Sequence, residues 1–371
     1  MRLEEEYSLY LDCTRFLASV LVVIAHFIQH GIFSNSLSYY IPELGREAVM
    51  IFFVLSGYVI AYTCDFKKPS LSEYAIARAA RIYSVAFPVL IASFLTIYLS
   101  SHISGIEYYQ VSKAYLYIPF HSIFLGEIWN LSEKPPWLEP YWSLSYEVWY
   151  YIFFASIYFF SGFKRVIIGT VVFFILGHKL WLLLPVWLSG VALYKYQEKI
   201  SLSVLSSRLG WVFSIISLAL YKYFDLDLFL RAYGSEIWPF DFLSLGSADR
   251  YLNDYVLTLM IVMNFICAKH ANFYLLLNYK KAIRKISAYT FTLYLVHALI
   301  MSIWANFYTH DSNSFLDILL LAISISISTY GVGQLTEHRK YVFKSYFTYA
   351  YKNTLGRFSL DVKNPKLRPK S

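Results

Sequence analysis

Long apolar runs alternate with short polar segments along almost the whole chain. Ten of the runs come close to or reach the length that a helix needs to cross about 30 Å of hydrocarbon. They cover residues 9–32, 47–64, 82–101, 141–160, 164–178, 180–195, 209–224, 254–268, 287–306 and 314–335. The pattern predicts an all-α, polytopic membrane protein with about ten transmembrane helices.

The first apolar run carries polar groups where a membrane helix normally has none. Wound at about 100° per residue, one stripe of this helix holds Asp12, Arg15, Ser19, His26 and Gln29. Arg15 and His26 lie on the same face, about 16 Å apart along the helix axis. The stripe must face protein or water, so one end of this helix can hold an anion and the other can move a proton.

Composition and charge agree with a membrane location. Aromatic residues make up 20% of the chain and charged residues only 15%, too few polar side chains to coat a soluble domain of this size. If the N-terminus is cytoplasmic, the cytoplasmic segments hold most of the basic residues, among them Lys67, Lys68, Arg78, Arg81, Lys280, Lys281, Arg284, Lys285 and the tail from Arg339 to Lys370. Cytoplasmic loops retain Lys and Arg, so we expect both termini to be cytoplasmic. This topology explains the net charge of +8, and no nucleic-acid partner is expected.

The sequence divides into two parts. We predict one transmembrane domain over residues 1–340 and a basic cytoplasmic tail over residues 341–371, either disordered or lying along the membrane. The three cysteines form no disulfide framework, and the chain lacks a recognisable metal-ligand spacing. No metal is therefore expected.

Two further groups of residues bear on chemistry. Arg78 and Arg81 share one helix face and could grip a phosphate in forked geometry, although an ordinary basic flank of a membrane helix would look the same. Glu147 lies about 9 Å below the outer boundary, where a carboxylate needs a partner. Because the first helix runs the opposite way, His26 comes near the same depth, and we expect His26 and Glu147 to pair.

In combination and in order, several motifs of this chain resemble the acyltransferase-3 family, multi-pass membrane enzymes that acylate sugars and other small acceptors. The motifs are Arg15 with His26, Phe52-Phe53-Val54-Leu55-Ser56-Gly57-Tyr58, Arg78 with Arg81, Tyr141-Trp142-Ser143-Leu144-Ser145-Tyr146-Glu147, and Ile286-Ser287 with Tyr294-Leu295-Val296-His297. Two positions depart from the family pattern: Ala48 replaces a usual Gly, and Arg339 replaces the Pro that often follows the glutamate of the last helix, here Glu337.

The resemblance implies an O-acyltransferase, most simply an O-acetyltransferase, in the bacterial cytoplasmic (inner) membrane. Its cytoplasmic donor would be acetyl-CoA or another acyl-CoA, and its acceptor a hydroxyl of a saccharide, on a surface glycan or its lipid-linked precursor. On this expectation Arg15, Arg78 and Arg81 bind the CoA phosphates. His26 acts as the general base and Glu147 orients it. The supporting residues would be Asp12, Ser56, Ser143, Tyr150, His297 and Glu337.

Alternatives remain open on the sequence. An acyl-histidine intermediate is a second mechanism for the same reaction. A saccharide flippase or other proton-coupled transporter could use His26 and Glu147 as a proton relay. His297 could be a satisfied structural histidine. A non-catalytic scaffold is less consistent with the cost of burying Arg, His and Glu in a membrane.

Overall fold

The computed structural model describes residues 3–105 and 108–354, and within these ranges the regular structure is helical throughout. The α-helices, in chain order, are α1 (Glu5–Gln29), α2 (Asn35–Ser38), α3 (Gly45–Lys67), α4 (Leu71–Ser104), α5 (Tyr109–Ser112), α6 (Ala114–Ser122), α7 (Tyr141–Tyr158), α8 (Gly162–Leu176), α9 (His178–Tyr196), α10 (Val204–Tyr223), α11 (Leu226–Glu236), α12 (Tyr251–His270), α13 (Leu275–Asn278), α14 (Lys280–Ser287), α15 (Thr290–Phe307), α16 (Phe315–Leu335) and α17 (Lys340–Thr354). Three short 3₁₀ helices cover Gln197–Lys199, Gly246–Ala248 and Glu337–Arg339.

All ten predicted segments are helical, but they do not all qualify as separate membrane spans. Among the described residues, seven helices are long and apolar enough to cross a membrane, or eight if α8 and α9 together form one bent span. These two helices meet at 117°, across Gly177, whose φ of +77° suits glycine. The all-helical membrane class is therefore confirmed, whereas the count of ten is not. We call the end of the bundle where α1 begins the basal end, and the opposite end the distal end; which of them faces the cytoplasm stays a prediction.

The helices α3 and α9 pack at backbone distance in the middle of the bundle. A Cβ added at Gly57 would lie 2.1 Å from the Trp187 carbonyl oxygen, and one added at Gly190 would lie 1.9 Å from that of Val54. Only glycine fits at these two crossing points. Gly57 is therefore a helix-packing position, while its neighbour Ser56 faces the cavity described below.

The start of α4 is fixed at the basal end by a capping box. The Ser70 side chain accepts a hydrogen bond from the Glu73 backbone, and the Glu73 carboxylate accepts one from the Ser70 backbone at 2.8 Å. Arg78 and Arg81 follow two to three turns into this helix, about 10–15 Å from its start. The cap therefore sets the depth at which both guanidinium groups enter the bundle.

The predicted tail begins as an ordered helix. Helix α17 packs against α4, and the rings of Tyr83 and Phe347 lie 5.9 Å apart. The expectation of a disordered segment is wrong for residues 341–354, because Phe343, Phe347 and Tyr351 recur at helical spacing and give α17 one partly buried face. The remaining residues of the predicted tail, 355–371, lie outside the described residues.

Candidate active site

One cavity inside the basal half of the bundle brings together six of the residues singled out from the sequence. We call it the arginine cavity, and these six lining residues are Arg15, Ser56, Arg78, Arg81, Ser143 and Glu147. They come from α1, α3, α4 and α7. Residues from four helices thus converge on one polar space in a protein that is otherwise strongly apolar.

The guanidinium groups of this cavity are only partly neutralised by the protein. Arg15 lies 3.3 Å from Asp12, a carboxylate that also pairs with Arg284. Arg78 and Arg81 have no carboxylate oxygen within 4.0 Å among the described residues. The Arg78 Nε atom is buried without a hydrogen-bond partner there. Buried donors of this kind call for an acceptor, so the cavity is suited to an anion.

Glu147 is held in the wall of the arginine cavity by hydroxyl groups. Its Oε1 accepts a hydrogen bond from Ser56 Oγ at 2.8 Å and another from the Tyr151 hydroxyl. The Trp187 indole nitrogen in turn donates to Ser56 Oγ at 3.2 Å. The Arg78 guanidinium lies 6.0 Å from the centre of the Tyr151 ring. Glu147 is thus an ordered acceptor that faces the arginines.

A second acid, Glu337, lies near the arginines of the site. Glu337 accepts hydrogen bonds from the Thr292 backbone at 3.2 Å and its hydroxyl at 2.8 Å, so its carboxylate sits at the N-terminal turn of α15, where a negative charge is favourable. Glu337 and Glu147 both lie close enough to Arg15 and Arg81 to interact with them electrostatically. The predicted support role of Glu337 is consistent with this position.

His26 lies in a different group, near the distal end of α1. Its Nδ1 is 3.4 Å from Glu139 Oε2, and the same oxygen is 3.0 Å from His30 Nε2. The His26 ring contacts the His297 ring edge to face at 5.0 Å and stacks on that of His30 at 5.8 Å. We call His26, His30, Glu139 and His297 the histidine cluster.

The predicted contact between His26 and Glu147 is therefore wrong, and the carboxylate beside His26 is Glu139. The reason is that Glu139 and Glu147 lie at different depths in the bundle. Glu139 directly precedes α7 at the distal end, and Glu147 lies eight residues further along, about 12 Å deeper at helical rise. That displacement brings Glu147 close to the level of Arg15, which is about 16 Å below His26. A catalytic role for Glu147 stays a prediction, but not as the partner of this imidazole.

The charges of the histidine cluster influence one another. The His26 and His30 imidazoles beside it lower the pKa of Glu139 below its ordinary value. The hydrogen bond to Glu139 raises the pKa of His30. The nearest ligand atoms of His26, His30 and Glu139 also lie within 4.8 Å of one another, an arrangement that could hold a metal ion. Sequence spacing gave no sign of this group, because Glu139 is distant from both histidines along the chain.

A short path of polar side chains connects the two groups. Ser143, in the arginine cavity, shares a hydrogen bond of 2.6 Å with the Tyr294 hydroxyl, and the Tyr294 ring lies 6.4 Å from that of His297. His297 is completely buried, with Nδ1 at 2.9 Å from the Leu293 carbonyl. This contact makes Nδ1 the protonated nitrogen, since a carbonyl only accepts. His297 Nε2 is left buried without a partner among the described residues.

Tyr150 belongs to neither group. Its hydroxyl donates to the Leu180 carbonyl at 2.8 Å, and its ring is fully buried against Phe53 and Trp187. These contacts indicate a packing role.

Sequence reasoning missed Glu139, His30 and Tyr151 as site residues. A signal for the first two was present, because Glu139 precedes α7 and His30 follows α1 at what both segments predict to be the same boundary. Tyr151 comes one turn after Glu147 on a helix, where an i, i+4 contact is expected.

The fold and the site define a helical, multi-pass membrane protein with an arginine-lined cavity joined to a histidine cluster. Comparison with known proteins shows to which family this protein belongs. The acyltransferase domain profile of the acyltransferase-3 family matches residues 8–336, and the chain belongs to this family. It is a membrane acyltransferase.

The comparisons with a curated relative and with solved structures give less information about this chain. The chain is 29% identical over 116 residues to a protein of Rhizobium meliloti (strain 1021) named exopolysaccharide production protein ExoZ. This match covers 30% of the present chain and 34% of the relative, so the chain matches about a third of that protein's length. No solved structure matches.

Proposed function

We propose that this protein transfers an acyl group, most simply acetyl, from acyl-CoA to a hydroxyl of a saccharide. The observation that carries the proposal is the arrangement of two unlike sites along α1. One is an arginine cavity with unneutralised guanidinium groups, and the other a histidine cluster about 16 Å away. A donor with phosphates at one end and a thioester at the other needs both.

The donor would bind through its phosphates in the arginine cavity. Arg78 and Arg81 lack carboxylate partners within 4.0 Å among the residues described, so a phosphate can supply the acceptors that they lack. From there the pantetheine arm can extend past Ser143 and Tyr294 toward His297. One of these hydroxyls donates to the other, so only the remaining proton, which lies near the Pro140 carbonyl, can be offered to an amide carbonyl of such an arm.

The chemistry would take place at the histidine cluster. Glu139 lies against Nδ1 of His26, which leaves Nε2 to take the proton from an acceptor hydroxyl. The hydroxyl oxygen attacks the thioester carbonyl carbon, the C–S bond breaks, and the imidazolium returns its proton to the departing CoA thiolate. Glu139 stabilises the imidazolium while it exists. Transfer through an acyl-histidine remains the second mechanism.

Two observations favour a saccharide acceptor. The relative ExoZ is named for exopolysaccharide production. The segment after α2 also exposes the adjacent rings of Tyr39 and Tyr40, 84% and 80% accessible, whose centres lie 5.2 Å apart. Exposed aromatic faces at the distal end are suited to stacking against sugar rings.

Mass spectrometry of surface glycans tests the proposal. Cells that produce the protein should carry saccharides heavier by one acyl group than those of cells without it, and a His26→Ala protein expressed at the same level should not restore the mass. Purified protein should move label from acetyl-CoA to the isolated glycan. Glycans of unchanged mass would contradict the proposal. A loss of exported glycan without any change of acylation would indicate the flippase instead.

A further inference from the structure

A second cavity at the basal surface adjoins the arginine cavity. It lies between the end of α3, the start of α4 and helix α17, and Arg78 lines both spaces. We call it the basal pocket. Its other cations are Lys67, Lys344 and Lys352, and Tyr351 contributes an aromatic ring.

The basal pocket carries a large excess of positive charge. Four cations face one carboxylate, that of Glu73, which already accepts two hydrogen bonds from Ser70 in the cap of α4. None of the four cations has a carboxylate oxygen within 4.0 Å in the described part of the chain. Four cations that share a single carboxylate in one concave space indicate an anionic ligand.

The position of Arg78 relates this ligand to the donor. Because one guanidinium belongs to both cavities, positive charge continues from the surface of α17 to the interior of the bundle. A ligand that fills both spaces must be long and must carry several negative groups at its surface end. Coenzyme A has this form, with a 3′-phosphate and a 5′-diphosphate on its adenosine and an uncharged arm beyond them.

We propose that the basal pocket binds the nucleotide end of acyl-CoA, with Lys344 and Lys352 of α17 contacting its 3′-phosphate while the diphosphate reaches Arg78, where the two cavities meet. This inference rests on the proposed function and adds the C-terminal helix to the donor site. Tyr351 offers a ring against which the adenine can stack. Helix α17 is held in place for this role by its packing on α4.

Shortened donors test the proposal. The purified protein in detergent is assayed with acetyl-CoA, with acetyl-dephospho-CoA, and with S-acetyl-4′-phosphopantetheine, which lacks the nucleotide. We expect the Lys344→Ala/Lys352→Ala variant to lose roughly tenfold in kcat/KM with acetyl-CoA, the low end for charge-assisted contacts at a surface. With S-acetyl-4′-phosphopantetheine the variant should equal the wild type. Lys281→Ala, which removes an exposed cation of α14 at the same end of the bundle, should lower neither value.

The comparison of donors separates the possible results. An equal loss with all three donors would show that the lysines act on folding or on bound anionic lipid, and it would overturn the proposal. So would wild-type values for the variant with acetyl-CoA. Repeating the assay in nanodiscs with and without anionic lipid should leave the ratio between donors unchanged, whereas a ratio that requires the lipid would assign the pocket to a headgroup. If the wild-type protein neither binds CoA in calorimetry nor transfers the acyl group of acetyl-CoA, the proposed function itself is wrong.

Discussion

The arginine cavity and the histidine cluster both contain residues of α1, but they differ in how far they are closed off from water. The cavity is enclosed by five helices, α1, α3, α4, α7 and α15, and its guanidinium groups are ordered by neighbours such as Asp12 and Tyr151. The cluster is built from the distal end of α1, the loop before α7 and His297 of α15, and His30 and Glu139 are about half exposed. Enclosure strengthens the attraction for an anion, while access to water lets an imidazole exchange its proton and meet an acceptor from outside.

On the proposed function, the two sites would serve opposite surfaces of the membrane. The donor would enter from the basal end and the acceptor from the distal end, and α1 would carry the residues that join the two. The distance between Arg15 and His26 along α1 would then correspond to the distance between the phosphates and the acyl group of the bound donor.

The largest expected effect is all or none and concerns which surface is which. In a protein without its native cysteines, single cysteines at Lys113 and Arg231 should react with an impermeant thiol reagent added outside intact cells. Cysteines at Lys68 and Lys281 should react only after permeabilisation. All four positions are exposed, and the charge asymmetry of the loops predicts the difference. Labelling of position 281 from outside would reverse the sites of donor and acceptor.

The next effect is on donor binding. Arg78→Ala and Arg81→Ala should each weaken CoA binding by about 1.5–3 kcal/mol, measured by calorimetry, since each removes a charge-assisted phosphate contact. Arg15→Lys should also weaken binding, because an ammonium group cannot replace the guanidinium fork. Turnover at saturating donor should change less than affinity. If the variants fold and bind CoA as tightly as wild type, Arg78 and Arg81 are only the ordinary basic flank of a membrane helix.

A smaller effect distinguishes the two glutamates. Glu139→Gln should lower turnover about tenfold, a modest effect for the loss of a charge beside His26 because Glu139 is half exposed. The effect should be nearly absent in a His26→Ala background, since both groups act on one proton. Glu147→Gln should instead change the affinity for CoA. Rates measured on the single and double variants test these assignments. If Glu147→Gln lowers turnover together with His26 and Glu139→Gln changes only the affinity for CoA, Glu147 is the functional partner of His26 after all.

The sequence predicts the arginine cavity better than the histidine cluster, for a physical reason. Arg15, Arg78, Arg81 and Glu147 lie within regular helices, where periodicity fixes their face and approximate depth. Glu139 lies in a loop, whose path depends on packing that no local pattern records. The same limit applies to α8 and α9, because their bend depends on one left-handed glycine between two helices.

The smallest effect is on stability. Glu139 raises the pKa of His30 above its ordinary 6.5, so this contact stabilises the fold below that pH and the contribution is lost as pH rises through the higher, folded value. The pKa of Glu139 is lowered, so its contribution is fully present above its ordinary 4.5 and is lost as pH falls from there toward the lower, folded value. We expect wild type to exceed His30→Ala by about 0.2–1 kcal/mol near pH 5.5 and by less near pH 8.

Thermal unfolding in detergent at the two pH values measures this difference. His102→Ala, which removes an exposed histidine at the end of α4, should not reproduce it. A larger gap between wild type and His30→Ala at the higher pH would show that His30 is stabilised in its neutral form.

The account depends most on His26, and acyl transfer per folded molecule of the His26→Ala protein tests it most directly. Loss of a positioned general base should reduce transfer by about 10²–10⁴-fold. CoA binding, which depends on the other end of α1, should remain close to wild type and serves as the control for folding. A well-folded His26→Ala protein that still transfers acyl groups at a substantial rate would contradict the account, and so would one that has lost CoA binding while keeping its turnover at saturating donor.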